Sequence, residues 1–251
     1  MTVPLLSVEG LCKRFGALQV NDEISFEVRS GELHALIGPN GAGKTTLINQ
    51  LSGALFSDKG RIGFDGEDIT RLEMPERSRR GLARSFQIAS LLPQYTALAN
   101  VALAVQARSE SSFRFFGRVA GEDGLNAAAG AALARVGLAA RASMRAGALS
   151  HGEQRLLEIA VALACAPKLL LLDEPFAGLG PEESKACIDL IRELKRELTI
   201  LLVEHDMDAV FSLADRVSVL VDGRILATGS PSDIRADERV RAAYLGDEEF
   251  A

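Results

Sequence analysis

A run of eight residues has the complete form G-x-x-x-x-G-K-[ST] of a phosphate-binding loop. Its glycines let the backbone curl so that N–H groups face inward and cradle an anion. Lys44 supplies a point charge for the β- and γ-phosphates, and the Thr45 hydroxyl is placed to bind Mg²⁺. The motif predicts binding of a nucleoside triphosphate, against the alternative of a chance glycine-rich turn. The residues expected around the phosphates are Gly38, Pro39, Asn40, Gly41, Ala42, Gly43, Lys44, Thr45 and Thr46.

Two carboxylates follow an apolar run later in the chain. Residues 169–172 are four leucines, and Asp173 and Glu174 come directly after them. An aspartate at the end of a central strand can hold Mg²⁺ from the sheet edge where a phosphate-binding loop sits. Glu174, one residue further, could orient and deprotonate a water for in-line attack on the γ-phosphate. A solvated acidic turn is the alternative, and the loop upstream favours the metal and base roles.

The segments around these residues predict an α/β core. A buried strand is predicted at Leu33–Ile37, before the loop, and a helix from Thr46 onward. Apolar runs predict a central parallel strand at 169–172 and another buried strand at 199–203. Proline and acidic residues open a helix predicted over 181–197. The shorter predicted elements are a half-buried strand through 24–28, a strand at 61–64 closed by a turn at 65–66, a hairpin of 217–221 with 224–227, and a final helix from about Pro231.

The middle of the chain has a different character. From about 91 to 166 alanine and leucine dominate and β-branched residues become rare, which predicts a helical subdomain. Within it, residues 109–124 carry serines, glycines, phenylalanines and mixed charges, as in a loop or a broken helix. The predicted fold is an α/β phosphate-binding-loop core interrupted by a helical insertion.

Composition and charge exclude several classes of protein. The chain has 251 residues, is 47% hydrophobic and 25% charged, and carries a net charge of −6, which argues against a nucleic-acid-binding surface. Cys12, Cys165 and Cys187 are widely spaced, form no metal pattern and suggest a reducing compartment. No signal-peptide layout and no bilayer-length apolar stretch is visible. If this protein works at a membrane, it must dock on a protein that spans it.

The segment 149–155 reads Leu-Ser-His-Gly-Glu-Gln-Arg and resembles the signature motif of ATP-binding-cassette (ABC) ATPases, usually Leu-Ser-Gly-Gly-Gln. Other motifs of that family follow in the expected order over essentially the whole chain. Phe15 matches the aromatic residue that stacks on adenine, and Gln87 matches the Q-loop glutamine that contacts Mg²⁺ and faces the membrane partner. Residues 177–180 occupy the D-loop, and His205 matches the switch histidine that reaches the γ-phosphate.

The resemblance implies one ABC ATPase domain over 1–251. Residues 1–90 and 167–251 would form the nucleotide-binding α/β core with an N-terminal antiparallel β-subdomain, and 91–166 the helical subdomain. It also implies hydrolysis of ATP with Mg²⁺ by two ATPase domains packed head to tail. Each signature, here Ser150, Gly152 and Glu153, would then cap the nucleotide held by the other chain's loop. A serine hydroxyl and N–H groups at a helix start are donors suited to a γ-phosphate.

Three positions depart from the family pattern. His151 stands where the family usually has glycine, and Glu153 where it usually has glutamine. Glu153 puts a negative charge in the first helical turn, which favours the helix dipole but not a nearby phosphate. Gly180 replaces the usual D-loop aspartate, which bears on communication between the two nucleotide sites.

Three functional classes share these motifs: the ATPase subunit of a membrane transporter, a soluble ABC ATPase of DNA repair or translation, and a non-hydrolysing binding module. The repair type needs a long coiled-coil insertion, and this chain has no sustained heptads. The translation type carries two cassettes in one chain. The binding module is expected to lack the base or the switch, whereas Glu174 and His205 are both present. A transporter subunit is therefore preferred.

Four stretches, 84–87, 178–183, 203–207 and 243–246, look like the branched-chain amino-acid importer class, which also serves urea, amides and some aromatic acids. That resemblance implies two transmembrane permease subunits, a second ATPase subunit that is identical or related, an indirect link to a periplasmic solute-binding protein, and a peripheral place on the cytoplasmic face of the inner membrane. Gln87 and the insertion 91–148 are expected to form the groove for a permease helix. A lipid- or lipopolysaccharide-export ATPase is the alternative.

Overall fold

The computed structural model describes residues 3–85, 91–108 and 123–244. Its strands are β1 (Leu6–Phe15), β2 (Leu18–Val28), β3 (Leu33–Ile37), β4 (Lys59–Phe64), β5 (Glu67–Asp68), β6 (Leu82–Ser85), β7 (Leu169–Asp173), β8 (Thr199–Val203), β9 (Arg216–Val221) and β10 (Arg224–Gly229). Its helices are α1 (Lys44–Ser52), α2 (Met74–Arg79), α3 (Ala97–Arg108), α4 (Asp123–Arg135), α5 (His151–Ala164), α6 (Pro181–Leu194), α7 (Met207–Leu213), α8 (Pro231–Ala236) and α9 (Glu238–Ala243).

The strands form two sheets. The first is a four-stranded antiparallel sheet in the order β2-β1-β4-β5. The second has six strands in the order β10-β9-β3-β8-β7-β6, in which β9, β3, β8, β7 and β6 run parallel and β10 pairs antiparallel with β9. The predicted α/β core with an antiparallel β-subdomain and a helical insertion is confirmed.

The apolar core lies on both faces of the parallel sheet. The side chains of β7 alternate between them: Leu169 and Leu171 join α1 and the antiparallel sheet in one cluster, whereas Leu170 and Leu172 join the helical subdomain in another. This burial on both faces explains why β7 is a continuous leucine run rather than an alternating one. A third cluster packs α7, α8 and α9 on β3 and β9.

Several element boundaries differ from the sequence expectation. Helix α6 ends at Leu194 rather than at Glu197, because the N–H groups of Glu197 and Leu198 both donate to the Leu194 carbonyl and turn the chain into β8. The final helix is two short helices, and the Asp237 carboxylate caps the second by accepting the Arg239 N–H at 2.9 Å. Of the expected loop 109–124, residues 123 and 124 already belong to α4, and the rest lies outside the described residues.

Cys12, Cys165 and Cys187 are free thiols. Within the three described ranges, no helix combines the length and the apolar character that crossing a membrane requires.

Candidate nucleotide site

Three loops meet at the carboxyl edge of the parallel sheet, where β3, β8 and β7 lie side by side. Leu36 of β3 and Asp173 of β7 both pair with Val203 of β8, so the three strands end nearly level. The phosphate-binding loop, the acidic pair 173–174 and the segment 204–205 therefore leave the sheet next to one another. Ligands of open α/β sheets bind in such a position.

The phosphate-binding loop curls around its own lysine. Gly41 and Gly43 have φ angles of +82° and +103°, in the region that favours glycine, and Gly43 precedes the first residue of α1. The Lys44 side chain is buried, and its Nζ donates to the carbonyl oxygens of Gly38 and Pro39, to the latter at 3.1 Å. The ammonium group thus lies inside the loop, where a phosphate group would need it.

The β1–β2 hairpin closes the loop from the side. A Cβ on Gly43 would lie 2.7 Å from both the Asn21 amide nitrogen and the Val20 carbonyl oxygen, so this position accepts only glycine. Asn21 is fully buried and donates to the Gly43 carbonyl at 3.3 Å. Phe15 lies on the same hairpin with 50% of its surface exposed, and Lys13 Nζ is 5.7 Å from its ring centroid. An exposed aromatic ring at this place can stack on a planar base, as predicted for adenine.

Asp173, the predicted Mg²⁺ ligand at the end of β7, is 1% exposed and pairs with Arg84 of β6. Arg84 Nη2 lies 2.8 Å from Asp173 Oδ2, and Nη1 donates to Asn49 Oδ1 on α1 at 2.7 Å. In the sequence, Arg84 stands out only as part of the stretch 84–87. Its contact with Asp173 depends on β6 and β7 being neighbours, which only the structure shows.

Glu174, the predicted base, has a strained backbone with φ of +46°. Its N–H donates to the Val203 carbonyl at 2.8 Å, and its carbonyl accepts from Arg155 Nη2 at 2.8 Å. Residues other than glycine in this region cost energy and occur preferentially at functional sites. The two hydrogen bonds hold the peptide on either side of the carboxylate, which is partly exposed at the sheet edge.

His205, the predicted switch residue, is tied to the neighbourhood of Glu174 by Glu204. The Glu204 carboxylate is fully buried and accepts the N–H of Phe176 at 3.0 Å and the N–H of His205 at 2.9 Å. Burial raises the pKa of Glu204, and these N–H groups oppose the shift. The His205 side chain is 47% exposed, with Nδ1 3.5 Å from the carboxylate. Glu204 has no role among the sequence predictions, although a carboxylate directly after a buried strand is a local signal.

The signature residues form a capping box at the start of α5. Ser150 Oγ accepts the Glu153 N–H at 3.1 Å, and Glu153 accepts the Ser150 N–H at 2.9 Å. Arg141 also donates to Glu153 at 2.7 Å, and these contacts lower the pKa of that carboxyl group. Among the described residues, none of these bonds reaches the phosphate-binding loop of the same chain.

The signature also packs on the D-loop and on α6. A Cβ on Gly152 would lie 2.5 Å from a carboxylate oxygen of Glu183 on α6, at the far end of an exposed side chain that would have to shift. A Cβ on Gly178, whose φ is +75°, would lie 3.3 Å from the imidazole of His151. The side chain at 151 that departs from the family pattern therefore lies against the D-loop glycine.

The described residues fit a nucleotide with Mg²⁺. The loop presents N–H groups and a buried ammonium, and the Thr45 hydroxyl and the Asp173 carboxylate are hard oxygen ligands of the kind that Mg²⁺ prefers. Gln87, the third predicted metal ligand, lies outside the described residues.

Comparisons with known proteins identify the family. The sequence model of the ABC transporter family matches residues 21–177. The chain belongs to the ABC transporter family. It is an ABC-type ATPase, and the model described as a branched-chain amino acid ATP-binding cassette transporter matches residues 224–249.

Similar proteins include transport ATPases of two kinds. The "High-affinity branched-chain amino acid transport ATP-binding protein LivG" of Salmonella typhimurium is 40% identical over 98% of this chain and 100% of its own length. The "Lipopolysaccharide export system ATP-binding protein LptB" of Haemophilus influenzae is 34% identical over 97% of this chain and 98% of its own. Among solved structures, the ADP conformation of MJ1267, an ATP-binding cassette of an ABC transporter, is 33% identical with a TM-score of 0.88, covering 98% of this chain and 100% of that chain.

Proposed function

We propose that this ATPase powers import of branched-chain amino acids, or of a related small polar or organic-acid solute, through a membrane permease. The observation that carries the solute class is the match of residues 224–249 to the branched-chain transporter model. The full-length similarity to LivG supports it, and the higher identity to LivG than to LptB favours import over lipopolysaccharide export. The chain would act at the cytoplasmic face of the inner membrane, with a periplasmic solute-binding protein as an indirect partner.

We infer a role for each group at the sheet edge. The N–H groups of the loop and Lys44 would hold the phosphates, while Thr45 and Asp173 would hold Mg²⁺. Once bound, the metal neutralises charge that develops on the phosphate oxygens. Glu174 would take the proton of the attacking water, and His205 would donate to the γ-phosphate. The hydrogen bonds of Val203 and Arg155 to the Glu174 backbone support this, because they fix where the base stands.

A second ATPase chain would complete each site. Ser150 is exposed at the start of α5, and its hydrogen bonds stay within the capping box. The exposed Ser150 hydroxyl at this helix start suits a phosphate held by another chain. A two-fold pair would contain two equivalent composite sites.

Deleting the gene from its host is expected to abolish high-affinity uptake of radiolabelled leucine, isoleucine and valine. Wild-type protein restores uptake from a plasmid, whereas Lys44→Ala, expressed at the same level, does not, because its loop lacks the charge that holds the phosphates. Normal uptake of all three amino acids in the deletion strain rules out this solute class. A defect in surface lipopolysaccharide in that strain would indicate the exporter instead.

The permease would dock in an apolar groove of about 250 Å³ formed by α2, β6 and α5. The sequence expectation placed this groove at Gln87 and the insertion 91–148. Gln87 lies outside the described residues, and the groove's walls come from segments on either side of 91–148. The lining includes Met74, Ser78, Ala83, Arg84, Glu158 and Val161. Because Arg84 also holds Asp173, an occupant of the groove would lie one side chain away from the metal site.

A cysteine in the groove is expected to crosslink to a permease in native membranes. In a Cys165→Ala background, Ser78→Cys should give a product that contains peptides of a polytopic membrane protein. Leu18→Cys, on the 66% exposed side chain of β2, is the matched control and should give none. Crosslinking to the permease from position 18 and not from position 78 contradicts this docking site.

A further inference from the structure

One guanidinium group joins three elements of the nucleotide site. Arg84 Nη2 pairs with Asp173 Oδ2 at 2.8 Å, and Nη1 donates to Asn49 Oδ1 at 2.7 Å and to Ser52 Oγ at 3.3 Å. The side chains of Arg84 and Asp173 are only 8% and 2% exposed. The contacts therefore connect β6, the end of β7 and helix α1 without solvent between them.

The partners on α1 lie on the same face as Thr45. Thr45, Asn49 and Ser52 are spaced i, i+4 and i+7, so they form one stripe along the helix. Arg84 therefore connects the places of two proposed Mg²⁺ ligands. One is the face of α1 that carries Thr45, and the other is the Asp173 carboxylate. It also precedes Gln87, the third proposed ligand, by three residues.

We propose that Arg84 is a positioning residue that fixes Asp173 against the Thr45 face of α1 and thereby sets the metal affinity of the nucleotide complex. The proposal rests on the proposed ATPase mechanism and goes beyond it, because it assigns a role to a residue outside the groups proposed to hold the nucleotide and the metal. The planar fork of arginine suits this task, since two nitrogens hold two partners at a fixed separation. A lysine ammonium is a single point and cannot reproduce that geometry.

A purely structural ion pair would behave differently. Replacing a buried pair with apolar groups is often neutral for stability, whereas removing one partner leaves an uncompensated buried charge. A measurement of stability therefore does not distinguish a structural ion pair from a residue that positions a metal ligand. A measurement of metal affinity does distinguish them, because groups that orient a metal ligand typically contribute about 10- to 100-fold to metal binding.

The test is Mn²⁺ binding, measured by electron paramagnetic resonance, to the full-length protein loaded with a non-hydrolysable ATP analogue. Arg84→Met is expected to bind Mn²⁺ about 10- to 100-fold more weakly than wild type, with unchanged affinity for the analogue in EDTA. Arg84→Lys should fall between the two. Asn49→Ala, which removes the anchor on α1, should weaken Mn²⁺ binding in the same direction.

Arg216→Met is the matched control. Arg216 pairs with Glu32 at 3.2 Å, and this pair lies at the opposite edge of the same sheet, before β3 and at the start of β9. The control loses an ion pair but should keep wild-type Mn²⁺ affinity. Wild-type Mn²⁺ affinity in Arg84→Met overturns the proposal. If that variant is misfolded by circular dichroism, wild-type affinity in both Arg84→Lys and Asn49→Ala overturns it.

Failure of the proposed function would give a different experimental result. Wild-type protein that releases no phosphate from ATP with Mg²⁺, alone or with its permease, contradicts the proposed mechanism. Wild-type protein that hydrolyses ATP, together with an Arg84→Met variant of normal Mn²⁺ affinity, contradicts only the role of Arg84.

Discussion

Glu174→Gln is expected to bind ATP and Mg²⁺ normally and to hydrolyse ATP at least about 100-fold more slowly, the size of a lost general base. The amide keeps the shape of the side chain but cannot accept a proton from water. Its position should be preserved, because the backbone hydrogen bonds to Val203 and from Arg155 do not involve the carboxylate. Phosphate release and equilibrium nucleotide binding, measured on the same preparation, separate the two effects.

Glu193→Gln is the matched control for this variant. Glu193 is an exposed carboxylate in the last turn of α6, so the substitution makes the same charge change at the opposite end of that helix from the D-loop. It should hydrolyse ATP at the wild-type rate. His205→Ala is expected to be slow as well. A Glu174→Gln protein with wild-type turnover would show that another group takes the proton.

The sequence predicted the core strands closely because their signal is local. The bounds of β3 and β8 agree residue for residue with the predicted runs at 33–37 and 199–203. Both strands are buried along their whole length, so every position must be apolar or paired. The predicted end of α6 was wrong. Residues 195–197 are the good helix formers Lys-Arg-Glu, and only the turn into β8 stops the helix.

The phosphate-binding loop and the acidic pair were also found by local pattern, and their placement at one sheet edge follows from parallel strands. The contacts that hold them were not predictable in the same way. Arg84 and Asp173 are 89 residues apart, and their pairing requires β6 and β7 to be neighbours. Glu204 binds the N–H of Phe176, 28 residues earlier, for the same reason. Strand order is a property of the whole fold and carries no short sequence signal.

Lys44→Ala and Ser150→Arg proteins are each expected to be inactive as homodimers, and their mixture is expected to regain ATPase activity. If Ser150 serves the partner's nucleotide, a mixed dimer has both lesions in one composite site and a second site that is wholly wild type. At equal amounts half of the dimers are mixed, so about a quarter of the wild-type rate should return when the sites fire independently. Where the natural partner is a related chain, its equivalent variants are mixed instead.

The mixture also separates damage to the helix from damage to the shared site. Ser150 caps α5, and losing such a cap costs about 1 kcal/mol. Ser230→Arg is the control, because Ser230 caps α8 with the same capping box away from the sheet edge, and this variant should remain active. If Ser150→Arg acted only by weakening its own chain, each chain of the mixed dimer would still carry its own lesion. No activity would then return, even in a mixture proven by mass spectrometry to contain the mixed dimer. Recovery in the mixture, with Ser230→Arg active, therefore requires that Lys44 of one chain and Ser150 of the other act on the same nucleotide.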